Sequence, residues 1–286
     1  MRVLLTGGTG YIGSAVLRRL IDAGHEVIAA VRSAEAAGTV TEAGAQAVVG
    51  DLADTEWLIT QLAGVDAAIH TAAIGRGDDA VLDAVIAAYE GTDRRYVHTG
   101  GIWTWGSNLE ITEQSAHAAP EISAWRDERE ARLLGADLRA SIVSPAVVYG
   151  HGHGIPVSTV LEAPRATDGA LELVGDGSQH WATVHVDDLA ELYVAVLERA
   201  PGGQVYIGAS GGNPTVRELA EAVVGPDGVV APQTVVATRE RLGEKYADAL
   251  LLDQAASGER ARTELGWQPS RPTLVEELTA LAAARV

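Results

Sequence analysis

Three short stretches hold residue types suited to chemistry. The first is TGGTGYIG, Thr6 to Gly13. Gly7 permits a tight turn, Gly10 lets the backbone approach a pyrophosphate, and Gly13 lets a helix pack on the preceding strand. The amides of Tyr11 and Ile12 then face the phosphates from the positive end of that helix. The second stretch is AAVRS, about 20 residues further on, where Asp or Glu would hold a ribose 2′-hydroxyl. Here Arg32 takes the place and Ser33 adds a hydroxyl. A guanidinium forks onto a 2′-phosphate, so NADP(H) is favoured over NAD(H). The third is GHGHG, with His151 and His153. Imidazoles titrate near neutrality and suit proton transfer. Tyr149, just ahead of them, is a weaker candidate donor. Two histidines without a third ligand do not make a metal site, and no metal is expected.

Tryptophan and arginine supply a further set. EISAWRDEREARLL, from Glu121 to Leu134, has a helical pattern, and Trp125 and Arg129 stand at i and i+4 on one face. An indole N–H donates a hydrogen bond but does not ionise near neutrality, and a guanidinium keeps its charge. The pair therefore reads as a clamp for ribose hydroxyls or a substrate oxyanion, unable to shuttle a proton. Trp103 and Trp105, taken as part of a strand, project to one side and offer a flat apolar wall to a ring-shaped substrate. His70 reads as a core histidine, and Asp187 or Asp188 as the cap of the helix that follows.

These residues need a frame, and the first half of the chain supplies an alternating one. RVLLTGG, HEVIAAV, AQAVVGD, VDAAIHTAA, RRYVHTGG and RASIVSPAVVYG are strand-like, and helical patterns separate them. Strands alternating with helices imply right-handed βαβ crossovers and a buried parallel sheet, the doubly wound Rossmann class of α/β fold. In that frame Asp51 and Leu52 end the third strand and can flank an adenine. Thr71, Ala72 and Ala73 end the fourth, where small residues leave room for a cofactor. Thr99 lies at the end of the fifth and is counted with the cofactor-binding residues. After Gly150 the rhythm breaks into Gly-rich loops and mostly helical segments. Residues 1–150 are thus expected to form the dinucleotide-binding domain. Residues 151–286 are expected to form a smaller substrate lobe with segments returning to it.

The totals narrow the partners. The chain has 286 residues, 47% of them hydrophobic, enough for a substantial core. No apolar run approaches the roughly 18 residues that would cross a bilayer, and no leader precedes the first strand, so cytoplasmic residence without a membrane partner is expected. Cysteine is absent, which removes disulfides and thiolate catalysis. A net charge of -18 without a basic block argues against nucleic acid and leaves a small molecule as the partner.

TGGTGYIG, DL, HTAA, SPAVVYG, TVHVDDLA and LGWQP together resemble the extended short-chain dehydrogenase/reductase family, also called the NAD-dependent epimerase/dehydratase family. The resemblance covers most of the chain. It implies a Rossmann domain, a C-terminal substrate lobe and a site between them beside the nicotinamide; homodimers are common in the family. Its chemistry normally rests on a Ser or Thr, a Tyr that moves the proton, and a Lys four residues later. Here the serine place falls on Gly101, or on Gly100 in another registration, the Tyr place on Trp125 and the Lys place on Arg129. No Tyr lies between Tyr96 and Tyr149, and Lys245 is the only lysine, so no registration restores the pair.

The reading that follows is an NADPH-dependent oxidoreductase acting on a small apolar carbonyl, imine or activated alkene, with His151, His153, Tyr149 or water giving the proton. An imine can arrive protonated and needs no acid from the protein. Two alternatives stay open: a redox-neutral isomerase, epimerase or cyclase that keeps its nucleotide, and a non-catalytic NADP-binding sensor.

Overall fold

The computed structural model describes residues 1–73 and 78–285. Seven parallel strands form the central sheet: β1 (Arg2–Thr6), β2 (Glu26–Val31), β3 (Gln46–Val49), β4 (Ala67–His70), β5 (Arg95–Thr99), β7 (Arg139–Pro145) and β12 (Gln204–Gly208). Their spatial order is β12-β7-β5-β4-β1-β2-β3. The central strands are covered on both faces, so their interior residues are mostly apolar rather than alternating. Leu4 and Leu5 point to opposite faces of β1 and are both fully buried. Each such burial contributes about 2 kcal/mol.

Helices α1 (Tyr11–Asp22), α2 (Ala34–Glu42) and α6 (Val186–Arg199) lie on one face. Helices α3 (Thr55–Ala63), α4 (Asp78–Tyr89) and α5 (Trp125–Gly135) lie on the other. Local chemistry fixes where several begin: Ser33 caps α2 by accepting from the Ala36 N–H, and Asp54 caps α3 by accepting from the Trp57 N–H. Register sets Thr6 level with Ala30 and His70, His70 level with His98, and Thr99 level with Val143. The C-terminal ends of β1, β4, β5 and β7 therefore finish along one line, where open α/β sheets bind their ligands.

Beyond Pro145 the chain leaves the sheet with a single intervening residue, Ala146, whose N–H donates to the Gly208 carbonyl. It continues as β8 (Val147–Gly150), which pairs in parallel with β11 (Thr183–His185) and antiparallel with β9 (His153–Gly154). A smaller lobe builds on this three-stranded sheet. It adds the pair β10 (Leu171–Glu172) and β13 (Val230–Ala231), and helices α7 (Val216–Val224), α8 (Val235–Leu242), α9 (Glu244–Leu250) and α11 (Leu274–Ala283). Its own core gathers Tyr149, Leu173, Trp181, Leu219, Leu250 and Leu278. Capping boxes start α7 at Thr215 with Glu218 and α11 at Thr273 with Glu276. Two segments return to the first half: β14 (Gln254–Ala256) pairs with β6 (Asn108–Ile111), and α10 (Glu259–Leu265) packs on β12 and α6.

Two local expectations change. Ile102–Trp105 is a 3-10 turn, not strand. With three residues per turn, positions two apart point in different directions, so Trp103 and Trp105 cannot share a wall. Neither Asp187 nor Asp188 caps α6. The cap is His185, whose Nδ1 accepts from the Asp187 N–H at 3.1 Å. The buried Asp188 carboxylate instead accepts from the Ser270 and Arg271 N–H groups at 3.0 and 3.1 Å, anchoring the C-terminal segment.

Candidate active site

The Gly loop closes between β1 and α1 in a form that only glycine allows. Gly7 has φ +76°, and a Cβ there would lie 2.6 Å from the Ala72 nitrogen. A Cβ on Gly13 would collide with the Gly7 carbonyl. Gly10 donates to the Gly7 carbonyl at 2.8 Å and its own carbonyl accepts the first helical bond, from Ser14. The first-turn amides of Tyr11 and Ile12 thus have no acceptor within the helix and face outward at its positive end. This cradle fits a dinucleotide pyrophosphate. Thr71 braces it by donating from Oγ1 to the Thr6 carbonyl at 2.8 Å. At the end of β2, Arg32 is exposed, and Ser33 lies beside it with its hydroxyl oxygen engaged in the cap. Asp51 is exposed and accepts from the Ala53 N–H, while Leu52 is buried beneath it.

Next to this loop a cleft of about 470 Å³ opens over the ends of β4, β5 and β7. Tyr11, Ile12 and the segment from His70 to Ala73 form its cofactor-loop side, and the segment from Thr99 to Trp103 forms its floor and one wall. Pro145 to Val148 and Ile155 close the side nearest the lobe, leaving a mostly apolar lining. Trp103 is half-buried in that wall, edge-on to Tyr246. Trp105 is fully buried against the His117 ring and does not reach the cleft. The expected two-tryptophan wall is therefore one tryptophan from this turn and one, Trp125, from α5.

Trp125 is 38% exposed, and the guanidinium groups of Arg126 and Arg129 stack over its indole at 4.5 and 4.6 Å from the ring centroid. Its Nε1 donates to the Ile122 carbonyl. Arg129 forks onto Asp79 of α4 at 2.5 and 2.8 Å and lies outside the cleft wall. That contact holds the Asp79 carboxyl below its ordinary range. The guanidinium in the cleft belongs to Arg126, which donates to the Thr99 carbonyl at 2.8 Å. The clamp foreseen for positions 125 and 129 is therefore met geometrically by 125 and 126.

The three candidate proton donors do not converge on this cleft. Tyr149 is buried, donates its hydroxyl to the Pro272 carbonyl at 2.8 Å, and is made a weaker acid by burial. His151 and His153 border a separate hollow on the far side of Tyr11, whose hydroxyl donates to the Gly150 carbonyl. His151 has φ +57° and its Nε2 lies 3.0 Å from Asp187; His153 is exposed, edge-on to Tyr11 at 6.0 Å. His151, His185 and Asp187 bring possible ligand atoms within 4.8 Å of one another. His185, however, uses the Nδ1 lone pair as a helix cap, so its neutral ring keeps the proton on Nε2 and has no lone pair left for a metal.

Several groups at the site went unread in the sequence. His98 lines the cleft at the end of β5, its ring stacked on His70 at 5.7 Å and 10°. Burial, with His70, Arg126 and Arg129 nearby, holds its pKa well below the usual imidazole value. Ser123, at the turn before α5, also lines the cleft. Glu130 of α5 is buried and its carboxyl is pushed up to about 7 by desolvation. A Cβ on Gly100 would sit 2.5 Å from Ser144 Oγ and 3.0 Å from Glu130 Oε1, so no hydroxyl residue fits there. At Gly101 the nearest atom to such a Cβ is Arg126 Nε at 3.7 Å. That serine place is open.

A family profile described as NAD(P)H-binding matches residues 7–200. Among curated proteins, a Schizosaccharomyces pombe protein of uncharacterized function is 30% identical, over 97% of this chain and 98% of its own. The 4-hydroxy-2-methyl-3-oxo-4-farnesyl-3,4-dihydroquinoline-1-oxide ketoreductase of Stigmatella aurantiaca is 28% identical, over 99% of this chain and 96% of its own. Among solved structures, the human epimerase family protein SDR39U1 with NADPH superposes with a TM-score of 0.74 at 21% identity, covering 99% of both chains.

Proposed function

The chain belongs to the NAD(P)H-binding proteins of the extended short-chain dehydrogenase/reductase, or NAD-dependent epimerase/dehydratase, family, and from that premise we propose that it is an NADPH-dependent reductase of a small, flat, apolar carbonyl, imine or activated alkene. The observation that carries this reading is the apolar cleft opening beside the glycine cradle, with Trp103 and Trp125 in its walls and Arg126 as its guanidinium. Reduced nicotinamide supplies hydride when bound. The protein's part is to seat the substrate, exclude water and stabilise charge on its oxygen. Trp103 offers an indole to an aromatic or cyclic substrate, and Trp125, its ring stacked with Arg126 and Arg129, adds apolar lining beside it. Arg126, fixed by the Thr99 carbonyl, is the cation that a developing oxyanion meets. The Stigmatella relative, named as a ketoreductase of a 3-oxo-dihydroquinoline, supports a ring ketone as the substrate type.

The preference for NADPH rests on Arg32, exposed at the end of β2 with Ser33 beside it. Arg32→Ala is expected to weaken NADPH binding at least tenfold more than NADH binding, as followed by quenching of tryptophan fluorescence; equal losses would remove the phosphate contact. The activity test is loss of reduced-nicotinamide absorbance with isatin, 1-tetralone, 2-phenyl-1-pyrroline and 2-cyclohexenone. Oxidation of NADPH by any of them supports the reading. Tight NADPH binding with no oxidation by any of the four counts against it and in favour of a sensor. Product without net NADPH loss counts in favour of a redox-neutral enzyme.

A further inference from the structure

The cleft of a carbonyl reductase needs a proton source, and the tyrosine-lysine pair of the resembled family has no counterpart in this sequence. His98 meets the geometric requirement. It sits in the cleft, level with His70 of β4 on one side and Ile142 of β7 on the other. Its Nδ1 lies 3.2 Å from the hydroxyl of Tyr96, two residues back on the same strand and the same face. No described residue forms a hydrogen bond with its Nε2, and the residue lines the cleft. A ring held at one nitrogen and open at the other is how an acting imidazole is presented.

We propose that His98 is the proton donor of this cleft, acting as a neutral imidazole through Nε2–H, and that Tyr96 is the residue that positions it by donating to Nδ1. The proposal rests on the reductase reading above. The charged and titratable groups facing His98 are His70 from β4, Tyr96 from β5, and Arg126 and Arg129 from α5. The two guanidinium groups and the deep setting oppose an imidazolium, which leaves the neutral ring as the working form. A carbonyl oxygen seated at Nε2 receives an electron pair as its carbon takes hydride from NADPH. The O–H bond forms as the Nε2–H bond breaks, and Nδ1 takes the Tyr96 hydroxyl proton, so the ring stays neutral throughout. After the product leaves, Nε2 takes a proton from water in the cleft as Nδ1 returns its proton to the Tyr96 phenolate, so the starting tautomer is restored, the carbonyl becomes an alcohol, NADPH becomes NADP⁺, and solvent supplies one proton. An alkoxide is more basic than a phenolate, so the relay runs downhill.

Two measurements test this. The first needs no turnover: ¹⁵N-histidine NMR of the protein with NADP⁺, from pH 5.5 to 8.5. The expected spectrum shows His98 neutral with the proton on Nε2 across the range, and Tyr96→Phe shifts it to mixed tautomers. An imidazolium at pH 7, or an Nδ1–H tautomer, overturns the proposal. The second is NADPH oxidation with isatin by the unaltered protein, His98→Phe and His98→Gln. Both variants should melt as cooperatively as the unaltered protein and bind NADPH within about twofold. Both should lose on the order of 10²- to 10⁴-fold in kcat, the usual range for a general acid. Having two variants of different shape separates chemistry from misfolding. Variants that keep pace with an active parent overturn the role of His98. An unaltered protein that binds NADPH but reduces none of the four probes overturns the reductase reading, and this proposal with it.

Discussion

Glu130 offers a prediction whose size can be worked out. Its side chain lies between α5 and the sheet, 5% exposed, with Oε1 lacking a hydrogen-bond partner among the described residues. Desolvation outweighs the attraction of Arg126 and His117 and raises its pKa from the ordinary 4.5 to about 7. Between those two values the folded chain holds a proton that the unfolded chain has released. Stability is therefore full below about pH 4.5, declines as pH rises toward 7, and is flat beyond. At about 1.4 kcal/mol per pH unit, the decline amounts to about 3 kcal/mol, an order-of-magnitude figure. Glu130→Gln removes the titration and keeps the shape. Urea unfolding of both proteins at pH 4.5, 6, 7.5 and 8.5 is the assay. The Gln amide also needs partners, so the variant carries a pH-independent offset. The quantity to read is how the difference changes with pH, and the variant should gain about 3 kcal/mol on its parent between the lowest and highest pH. A difference that stays constant within about 0.5 kcal/mol across the range would show that the carboxylate is solvated or paired, and would refute the burial argument.

Three further outcomes follow from the geometry. Gly101→Ser should fold with a stability change within about 1 kcal/mol, because the space beside Arg126 is open, whereas Gly100→Ser should lose more than about 2 kcal/mol against Ser144 and Glu130, as thermal melts will report. Arg129→Ala should leave NADPH affinity within about twofold, since its pair with Asp79 lies outside the cleft; a tenfold affinity loss by fluorescence titration would return Arg129 to the cofactor. Asp188→Ala should cost about 1 to 3 kcal/mol in urea unfolding, because two backbone donors of the C-terminal segment lose a buried, charged acceptor; no measurable loss would mean that water replaces it.

What could be read in the sequence was local, and what was missed depended on the third dimension. Gly7, Gly10 and Gly13 announce their turn because the backbone constraint lies within the turn itself, and the strand-helix rhythm is likewise written within each segment. Trp103 and Trp105 misled because a four-residue apolar stretch has no period of its own; the 3-10 turn emerges only where the chain must bend after β5. At α5 the i and i+4 spacing correctly put Trp125 and Arg129 on one face. Sequence could not say that Asp79, 50 residues earlier, would claim that face and leave Arg126 to the cleft. His98 looked like one more strand residue, since strand parity does not tell which face meets an opening. Asp188 had the pattern of a cap, yet partners 82 and 83 residues away decide its role.

The passage from β7 to β8 bears on how a substrate gains admission. One residue, Ala146, joins the two strands, and its amide is tied across to Gly208, so the chain enters the lobe with almost no slack at the cleft's own wall. A joint this short resists the hinge rotation by which two-domain enzymes wrap their ligands. With so little slack at this crossing, the shape of the cleft is set by the packing of its walls rather than by closure of one half of the molecule on the other.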